Sequence, residues 1–239
     1  MSPDETQEAL ERRLAAVRAK RGYLLPHHGL LALAFPDLLA GYDAAYTAMA
    51  LADRVLSHHD REFVWIAVLG ATDEALATHH LAKLRAAGGT EATIEAAFAA
   101  CAGAIGAASY EFAARDWAAP LAPWNPGHGY LRGVRRLAPL RLVHLAQCAV
   151  HVCRAQWRAL GWQLAGAYAD QVPEDEIAEA LTLAMFPGSI PRFVSACAVW
   201  QARILDGTLP ASPRYRAWAE LSGQDGHQGP AQITPASPS

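Results

Sequence analysis

Apolar residues recur along most of this chain at intervals of three or four residues, the spacing that is typical of amphipathic helices. The segment Thr6–Lys20 follows a capping-box pattern at Ser2–Glu5 and predicts a first helix, which Gly22 ends. A second predicted helix follows Phe35-Pro36 and runs to about Ala52. The pattern favours an almost entirely helical protein.

Further predicted helices follow in the first half of the chain. Asp60–Leu69 reads as a third helix. Thr72 is placed to cap a fourth over Asp73–Ala87, which the glycines at 88 and 89 end, because glycine easily adopts the left-handed conformation of a helix C-terminus. A fifth helix is predicted to begin at Thr90-Glu91.

The composition indicates a folded protein and excludes some classes of binding partner. Of the 239 residues, 52% are hydrophobic and 18% charged, so most of the chain has enough apolar surface to fold. The formal net charge of -3 provides no basic field for a phosphate backbone, and nucleic acid is not an expected partner. No apolar run is expected to span a membrane and Met1–Glu5 lacks signal-peptide features, so we expect a cytoplasmic protein.

One internal similarity suggests a duplicated unit. Thr90–Phe98 aligns with Pro173–Leu181, and both segments begin a predicted helix after a turn. The same offset places Gln163 opposite His80. The second copy has Leu145 where the first has Glu62, so it is predicted to lack acid-base chemistry.

A segment rich in proline and glycine separates the two predicted copies. The predicted organisation is an N-terminal helix over 1–20, a first repeat over 21–119, a linker over 120–130, a second repeat over 131–209 and a mostly disordered tail over 210–239. No function is assigned to the tail.

The order of several motifs resembles the carboxymuconolactone decarboxylase and alkylhydroperoxidase D-like superfamily. The motifs are Arg61-Glu62, His80, the glycine turn at 88–89 and the Glu-x-x-Ile start at Glu91. The resemblance implies an all-α fold of two tandem helical copies and a homo-oligomer. The peroxidase branch carries C-x-x-C before the histidine, where this chain has Asp73 and Leu76, so peroxidase activity of that kind is not expected.

The candidate catalytic residues are His80 and Glu62. Two antiparallel helices joined near Ala71-Thr72 would bring both side chains to one level. A carboxylate that orients an imidazole makes a general acid or base that works near neutral pH. The prediction is a cofactor-free lyase or isomerase that acts on a small organic acid or lactone, and the alternative is a buried pair that only fixes helix packing.

Two neighbours of this pair are predicted to bind substrate. Arg61 suits a carboxylate because guanidinium binds carboxylates through two hydrogen bonds. His79 adjoins His80 but points about 100° away on a helix, so only one of them can face a given pocket. The expected partners are the small molecule and other copies of the chain, with no metal, no cofactor and no membrane.

Other readings of the sequence remain open. One is a non-catalytic helical oligomer that binds a small ligand or a partner protein, and buried Glu62 and His80 without an open cavity would favour it. Another is a redox protein that uses Cys148 and Cys153. A third is a metal site on the helix face that carries His144, Cys148 and His151, although His144 and His151 lie about 10 Å apart on one helix.

Overall fold

The computed structural model describes residues 3–224 and residue 226, with side chains described from residue 7. Within that part of the chain the secondary structure consists of helices and contains no strand, which confirms the all-α prediction. The chain divides into two compact units, one that ends at Arg54 and one that begins at Val55. The predicted pair of tandem repeats stays a prediction.

The first unit is a small helical cluster. Its elements are α1 (Pro3–Arg21), α2 (Pro26–Ala34), α3 (Pro36–Tyr46) and a π-helical turn (Thr47–Leu51) that continues α3. Val17, Ala32 and Leu39 form its buried centre. The predicted first helix is confirmed, and Gly22 follows it with a φ of +79°, a conformation that favours glycine.

The second unit is built around one helix whose central residues are all buried. Its elements are α4 (His58–Ala71), α5 (His79–Ala86), α6 (Glu91–Asp116), α7 (Ala118–Leu121), α8 (Pro126–Val134), α9 (Leu140–Arg154), α10 (Trp157–Ala169), α11 (Glu174–Leu183), α12 (Ile190–Leu205) and α13 (Pro213–Ala219). Every residue from Leu142 to Cys153 of α9 is buried, because α4, α6, α10 and α11 pack around it. On α4 the run from Arg61 to Val68 is likewise buried.

The predicted fourth helix is wrong in its first half. Thr72 does not begin a helix; its hydroxyl donates to the carbonyl of Val68 at 3.0 Å and so helps to end α4. Asp73 has a φ of +55°, which a helix cannot contain. The chain turns over residues 72–78, and α5 begins at His79.

Two other predicted segments also differ from the structure. The predicted linker at 120–130 holds the end of α7 and the first half of α8, and Tyr130 within it is 3% exposed. The predicted tail contains α13, whose Trp218 contacts the ring of Trp200. The part of that tail at position 225 and over 227–239 lies outside the described residues.

One helix changes the expectation about membranes. By length and composition alone, α6 could cross a membrane: it has 26 residues and a mean hydropathy of 1.4 over its most apolar 18-residue window. This finding differs from the expectation that no apolar run in the sequence approaches the length of a membrane span. The same helix packs against α4, α8 and α9, and a helix of a soluble protein also meets these two criteria.

Candidate active site

Two consecutive helices, α4 and α5, bring the predicted catalytic pair together. Ser57 caps the start of α4 by accepting a hydrogen bond from the amide of Asp60, and this fixes the turn that carries Glu62. The turn over 72–78 reverses the chain, so that His80, the second residue of α5, lies against α4. The predicted contact between Glu62 and His80 is therefore present.

The two side chains form a short buried hydrogen bond. His80 Nδ1 lies 2.5 Å from Glu62 Oε2, and the residues are 3% and 4% exposed. Since an ionised carboxylate only accepts hydrogen bonds, Nδ1 carries the proton of this bond. The neutral imidazole then has its lone pair on Nε2, the nitrogen that is left to exchange a proton with another molecule.

Aromatic rings hold the imidazole in place. The Trp65 ring lies 4.8 Å from the His80 ring, and the His79 ring lies 4.3 Å from it, both measured between centroids. These two ring contacts and the hydrogen bond to Glu62 together limit rotation of the imidazole and so fix the direction of Nε2. Trp65 is buried and thus belongs to the core as well as contacting the candidate proton carrier.

His80 is part of the wall of a cavity of about 390 Å³. Apolar side chains form most of the wall, among them Ile66, Leu81 and Phe98. The described acidic residues along it are Asp73 and Glu74, both exposed, and no described lysine or arginine lines it. The pocket therefore combines an apolar interior, one imidazole and a negatively charged mouth.

Arg61 is not at this pocket. Its guanidinium is 1% exposed and its Nε donates to Glu179 Oε1 on α11 at 3.1 Å. The other carboxylate oxygen of Glu179 accepts the backbone amides of Val55 and Leu56, each at 2.8 Å. Arg61 thus fixes the start of α4 to α11, and its predicted contact with substrate is not supported by this placement.

His79 lies beside the site without forming the described wall. Its side chain is half-buried and its ring faces that of His80. The sequence rule that neighbouring helical residues diverge holds here, since His80 and not His79 lines the cavity. A substrate contact by His79 stays a prediction.

The sequence profile of the Carboxymuconolactone decarboxylase family matches residues 36–120, a range that includes both Glu62 and His80. This part of the chain is therefore similar to that family. No curated protein and no solved structure matches the chain. The family match agrees with the resemblance of the motifs around Arg61-Glu62, His80 and the glycine turn.

Thiol chemistry has little support in this carboxymuconolactone decarboxylase-like protein. Cys148 and Cys153 of α9 are both buried, and burial raises the thiol pKa of each, to about 12 for Cys153. A raised pKa removes the thiolate that a peroxidase or disulfide exchange needs near neutral pH.

The second half of the chain holds a buried polar network that the sequence analysis did not predict. The hydroxyl of Tyr130 lies 2.7 Å from Gln163 Oε1 and 2.8 Å from His151 Nε2. Gln163 Nε2 lies within hydrogen-bond distance of His144 Nδ1, at 2.8 Å. His144 Nε2 in turn lies 2.9 Å from Asp170 Oδ2. These bonds explain the two α9 histidines without a metal, and no cluster suited to a metal ion occurs in the described part of the chain.

Asp170 at the end of this network is expected to make stability depend on pH. Burial raises the pKa of its carboxyl, but hydrogen bonds from Arg135 and His144 outweigh burial, and the pKa lies below its ordinary 3.8. A lowered pKa stabilises the folded state above pH 3.8, and this stabilisation is lost as pH falls through the folded value. Asp170→Asn is expected to lower the free energy of unfolding by about 1–3 kcal/mol at pH 7, and by less below about pH 4.

Urea unfolding of Asp170→Asn and the wild type at a series of pH values measures this difference. Asp116→Asn is the matched control, because Asp116 is exposed and pairs only with its neighbour Arg115. The free energy of unfolding of Asp116→Asn should change with pH as that of the wild type does. A cost for Asp170→Asn that stays constant from pH 7 to pH 3 would contradict the assignment.

Proposed function

We propose that the chain is a cofactor-free lyase or isomerase that moves a proton on a small molecule through His80. The observation that carries this proposal is the buried 2.5 Å contact between His80 and Glu62 at a cavity of about 390 Å³. A buried pair without an open cavity would have favoured a purely structural role. Here the histidine of the pair lines the cavity, which supports the acid-base alternative.

In the proposed reaction His80 carries the proton and Glu62 positions it. Neutral His80 removes a proton from carbon or oxygen through Nε2, and Glu62 stabilises the imidazolium that results. The imidazolium then returns the proton to a different atom of the same substrate, which completes an isomerisation, or to the carbanion left by loss of carbon dioxide. Leu81 and Phe98 give the pocket an apolar wall near His80, against which the apolar part of a small substrate can pack.

The charge of the pocket favours one of the two predicted substrate classes. Asp73 and Glu74 line the mouth, whereas Arg61 is paired with Glu179 away from it. A carboxylate substrate would meet like charge on entry, so a neutral lactone is the better match. We therefore place the lactone before the organic acid as the substrate class, and isomerisation before decarboxylation, because a neutral lactone has no carboxyl group to lose as carbon dioxide.

A panel of small unsaturated lactones, each beside its ring-opened acid, tests the proposal. Absorbance of the conjugated product would report isomerisation of either member of a pair, and release of carbon dioxide would report decarboxylation of the acid. We expect wild-type kcat/KM to be higher for the lactone of each pair, and Glu74→Gln to narrow that difference by weakening repulsion of the acid. Preference for the acids, unchanged in Glu74→Gln, would overturn the substrate assignment.

Glu62→Gln tests the positioning role separately. Glutamine can keep a contact with His80 Nδ1 but cannot balance the charge of an imidazolium. We expect kcat to fall at least about 10-fold and its pH profile to shift, with KM little changed. An unchanged pH profile would mean that Glu62 only supports packing.

A further inference from the structure

A second cavity in the second unit lies between α6, α8 and α9, apart from the His80 pocket. Its volume is about 280 Å³, and none of its described wall residues lines the His80 pocket. Gly103, Gly106 and Gly133 form part of its wall and are exposed, so the cavity opens to solvent on this side. A Cβ atom on Gly106 or Gly133 would meet no atom within 4 Å. These glycines therefore leave room for a small molecule.

Two buried polar residues, Tyr130 and Gln147, line this cavity. They are 3% and 0% exposed, and the Tyr130 hydroxyl lies 3.0 Å from Gln147 Oε1. Tyr130 also belongs to the buried network that ends at Asp170. Because each group in that network contacts a neighbour of known chemistry, its donors and acceptors can be assigned one after another.

The assignment begins at the Asp170 end of the network. His144 Nε2 lies 2.9 Å from the Asp170 carboxylate, which only accepts, so Nε2 carries the proton of His144. Burial lowers the pKa of His144, which keeps its ring neutral and leaves a lone pair on Nδ1. That lone pair accepts from Gln163 Nε2 at 2.8 Å. Gln163 therefore turns its oxygen, Oε1, toward the Tyr130 hydroxyl.

The other two contacts of the Tyr130 hydroxyl are assigned in the same way. Gln147 donates through Nε2 to a backbone carbonyl of α6 at 3.0 Å, so its Oε1 faces the hydroxyl. Gln156 donates to another α6 carbonyl, and its Oε1 accepts from His151 Nδ1 at 3.0 Å. Burial lowers the pKa of His151 to about 4, so the ring is neutral near pH 7. Its Nε2, 2.8 Å from the hydroxyl, is then a lone-pair acceptor.

Three acceptors thus surround one hydroxyl hydrogen. Gln147 Oε1, Gln163 Oε1 and His151 Nε2 all face the same hydroxyl. Tyr130 can donate its hydrogen to only one of them at a time. The other two acceptors, and the lone pairs of the hydroxyl oxygen, have no hydrogen-bond donor among the described residues. Buried acceptors without donors are rare in folded proteins, because they have lost their hydrogen bonds to water.

The part of this surplus that a ligand can reach lies at the cavity. Tyr130 and Gln147 line it, whereas Gln163 and His151 do not. A hydrogen-bond donor that enters the cavity would therefore meet an amide oxygen and a hydroxyl oxygen, both of them acceptors. A second acceptor, such as a carboxylate or an ether oxygen, would find no buried donor along the described wall except the one hydroxyl hydrogen.

The remaining wall is suited to an apolar molecule. Val134, Leu137 and the ring of Tyr110 contribute to it. We propose that this cavity binds a small, neutral, apolar molecule that carries a hydroxyl group, such as a phenol, with the hydroxyl donating to Gln147 or Tyr130. Water also supplies hydrogens, but it gains nothing from the apolar wall, so a hydroxyl on an apolar body is the better match. This binding does not depend on the proposed chemistry at His80.

Two probes of nearly equal size and shape test the chemical class of the ligand. In para-fluorophenol a hydroxyl stands where para-fluorotoluene has a methyl group, and fluorine NMR measures the binding of either to the full chain. We expect para-fluorophenol to bind with a Kd below about 1 mM, at least about 10-fold tighter than para-fluorotoluene. A cavity without surplus acceptors would favour the more apolar toluene. A wild type that prefers para-fluorotoluene, or that binds neither probe, would overturn the proposal.

Gly106→Leu tests the location of the site. The leucine side chain would fill the cavity, and since its Cβ meets no atom within 4 Å and leucine favours a helix, the fold should persist. We expect binding of para-fluorophenol to weaken at least about 10-fold. Gly41→Leu on α3 is the matched control, because Gly41 is also helical, exposed and open at Cβ, and it should bind like the wild type. Unchanged binding in a folded Gly106→Leu would show that the probe binds elsewhere.

Gln147→Met tests the role of the surplus acceptor. Methionine is flexible and similar in size to glutamine, but it has no amide oxygen to accept from the hydroxyl. We expect the preference for para-fluorophenol over para-fluorotoluene to fall at least about 10-fold, while binding of para-fluorotoluene, retained or improved, reports an intact cavity. An unchanged preference would overturn the contact with Gln147. If this variant does not fold, Tyr130→Phe offers the same comparison at the other acceptor.

Discussion

His80→Gln is expected to lower kcat at least about 100-fold, since a positioned general acid or base contributes about 10²–10⁴ to a rate. Glutamine is close in size to histidine and its amide can still donate to Glu62, so the buried carboxylate keeps a partner. It cannot exchange a proton at neutral pH. The fold should therefore survive while the chemistry is lost.

A second variant separates this effect from damage to the fold. His80→Ala leaves Glu62 buried without its partner and is expected to lose stability as well as turnover. His79→Gln is the matched control, because His79 adjoins His80 on α5 but does not line the cavity. It should keep most of the activity. Equal losses in His79→Gln and His80→Gln, with both folded by circular dichroism, would contradict the assignment of the proton to His80.

Glu179→Ala is expected to lower the free energy of unfolding by about 3–5 kcal/mol, the cost typical of breaking a buried ion pair. Its carboxylate accepts from Arg61 and from the amides of Val55 and Leu56, and both charged residues of the pair are almost completely buried. Alanine leaves a buried guanidinium and two amides without this acceptor. The loss is a large fraction of the 5–15 kcal/mol typical of a folded domain.

Equilibrium unfolding in urea measures this change, with Glu176→Ala on the same helix as its control. Glu176 pairs with Arg141, whose side chain is 40% exposed, and this pair should contribute only about 1 kcal/mol or less. If Glu179→Ala does not fold, Glu179→Gln keeps an acceptor oxygen and should give an intermediate loss. Equal stability of Glu179→Ala and Glu176→Ala would show that the buried pair does not hold α4 to α11.

The sequence predicted local features better than distant ones. The start of α4, the glycine turn and the contact of Glu62 with His80 follow from helix periodicity and loop spacing within 18 residues. Thr72 was assigned to the wrong helix end because a threonine hydroxyl can cap a new helix or bond back to the preceding turn. Sequence spacing does not distinguish a threonine that caps the next helix from one that ends the preceding helix.

The unpredicted features depend on partners far apart in the chain. Arg61 was expected at the substrate because its partner, Glu179, lies 118 residues away and no local pattern links them. Tyr130 was placed in a linker because the prolines and glycines around it are typical of loops, yet its hydroxyl reaches residues of α9 and α10. Burial of a polar side chain is set by tertiary contacts, which this sequence alone does not contain.

Exchange of substrate hydrogen with solvent is the most direct test of the central claim that His80 moves a proton in this pocket. Small unsaturated lactones are incubated in deuterium oxide with the wild type or with His80→Gln, and mass spectrometry measures deuterium at carbon. We expect the wild type to accelerate incorporation into at least one lactone and His80→Gln to return it to the rate without protein. Incorporation at the same rate in both proteins, or none above the background with the wild type, would contradict the account.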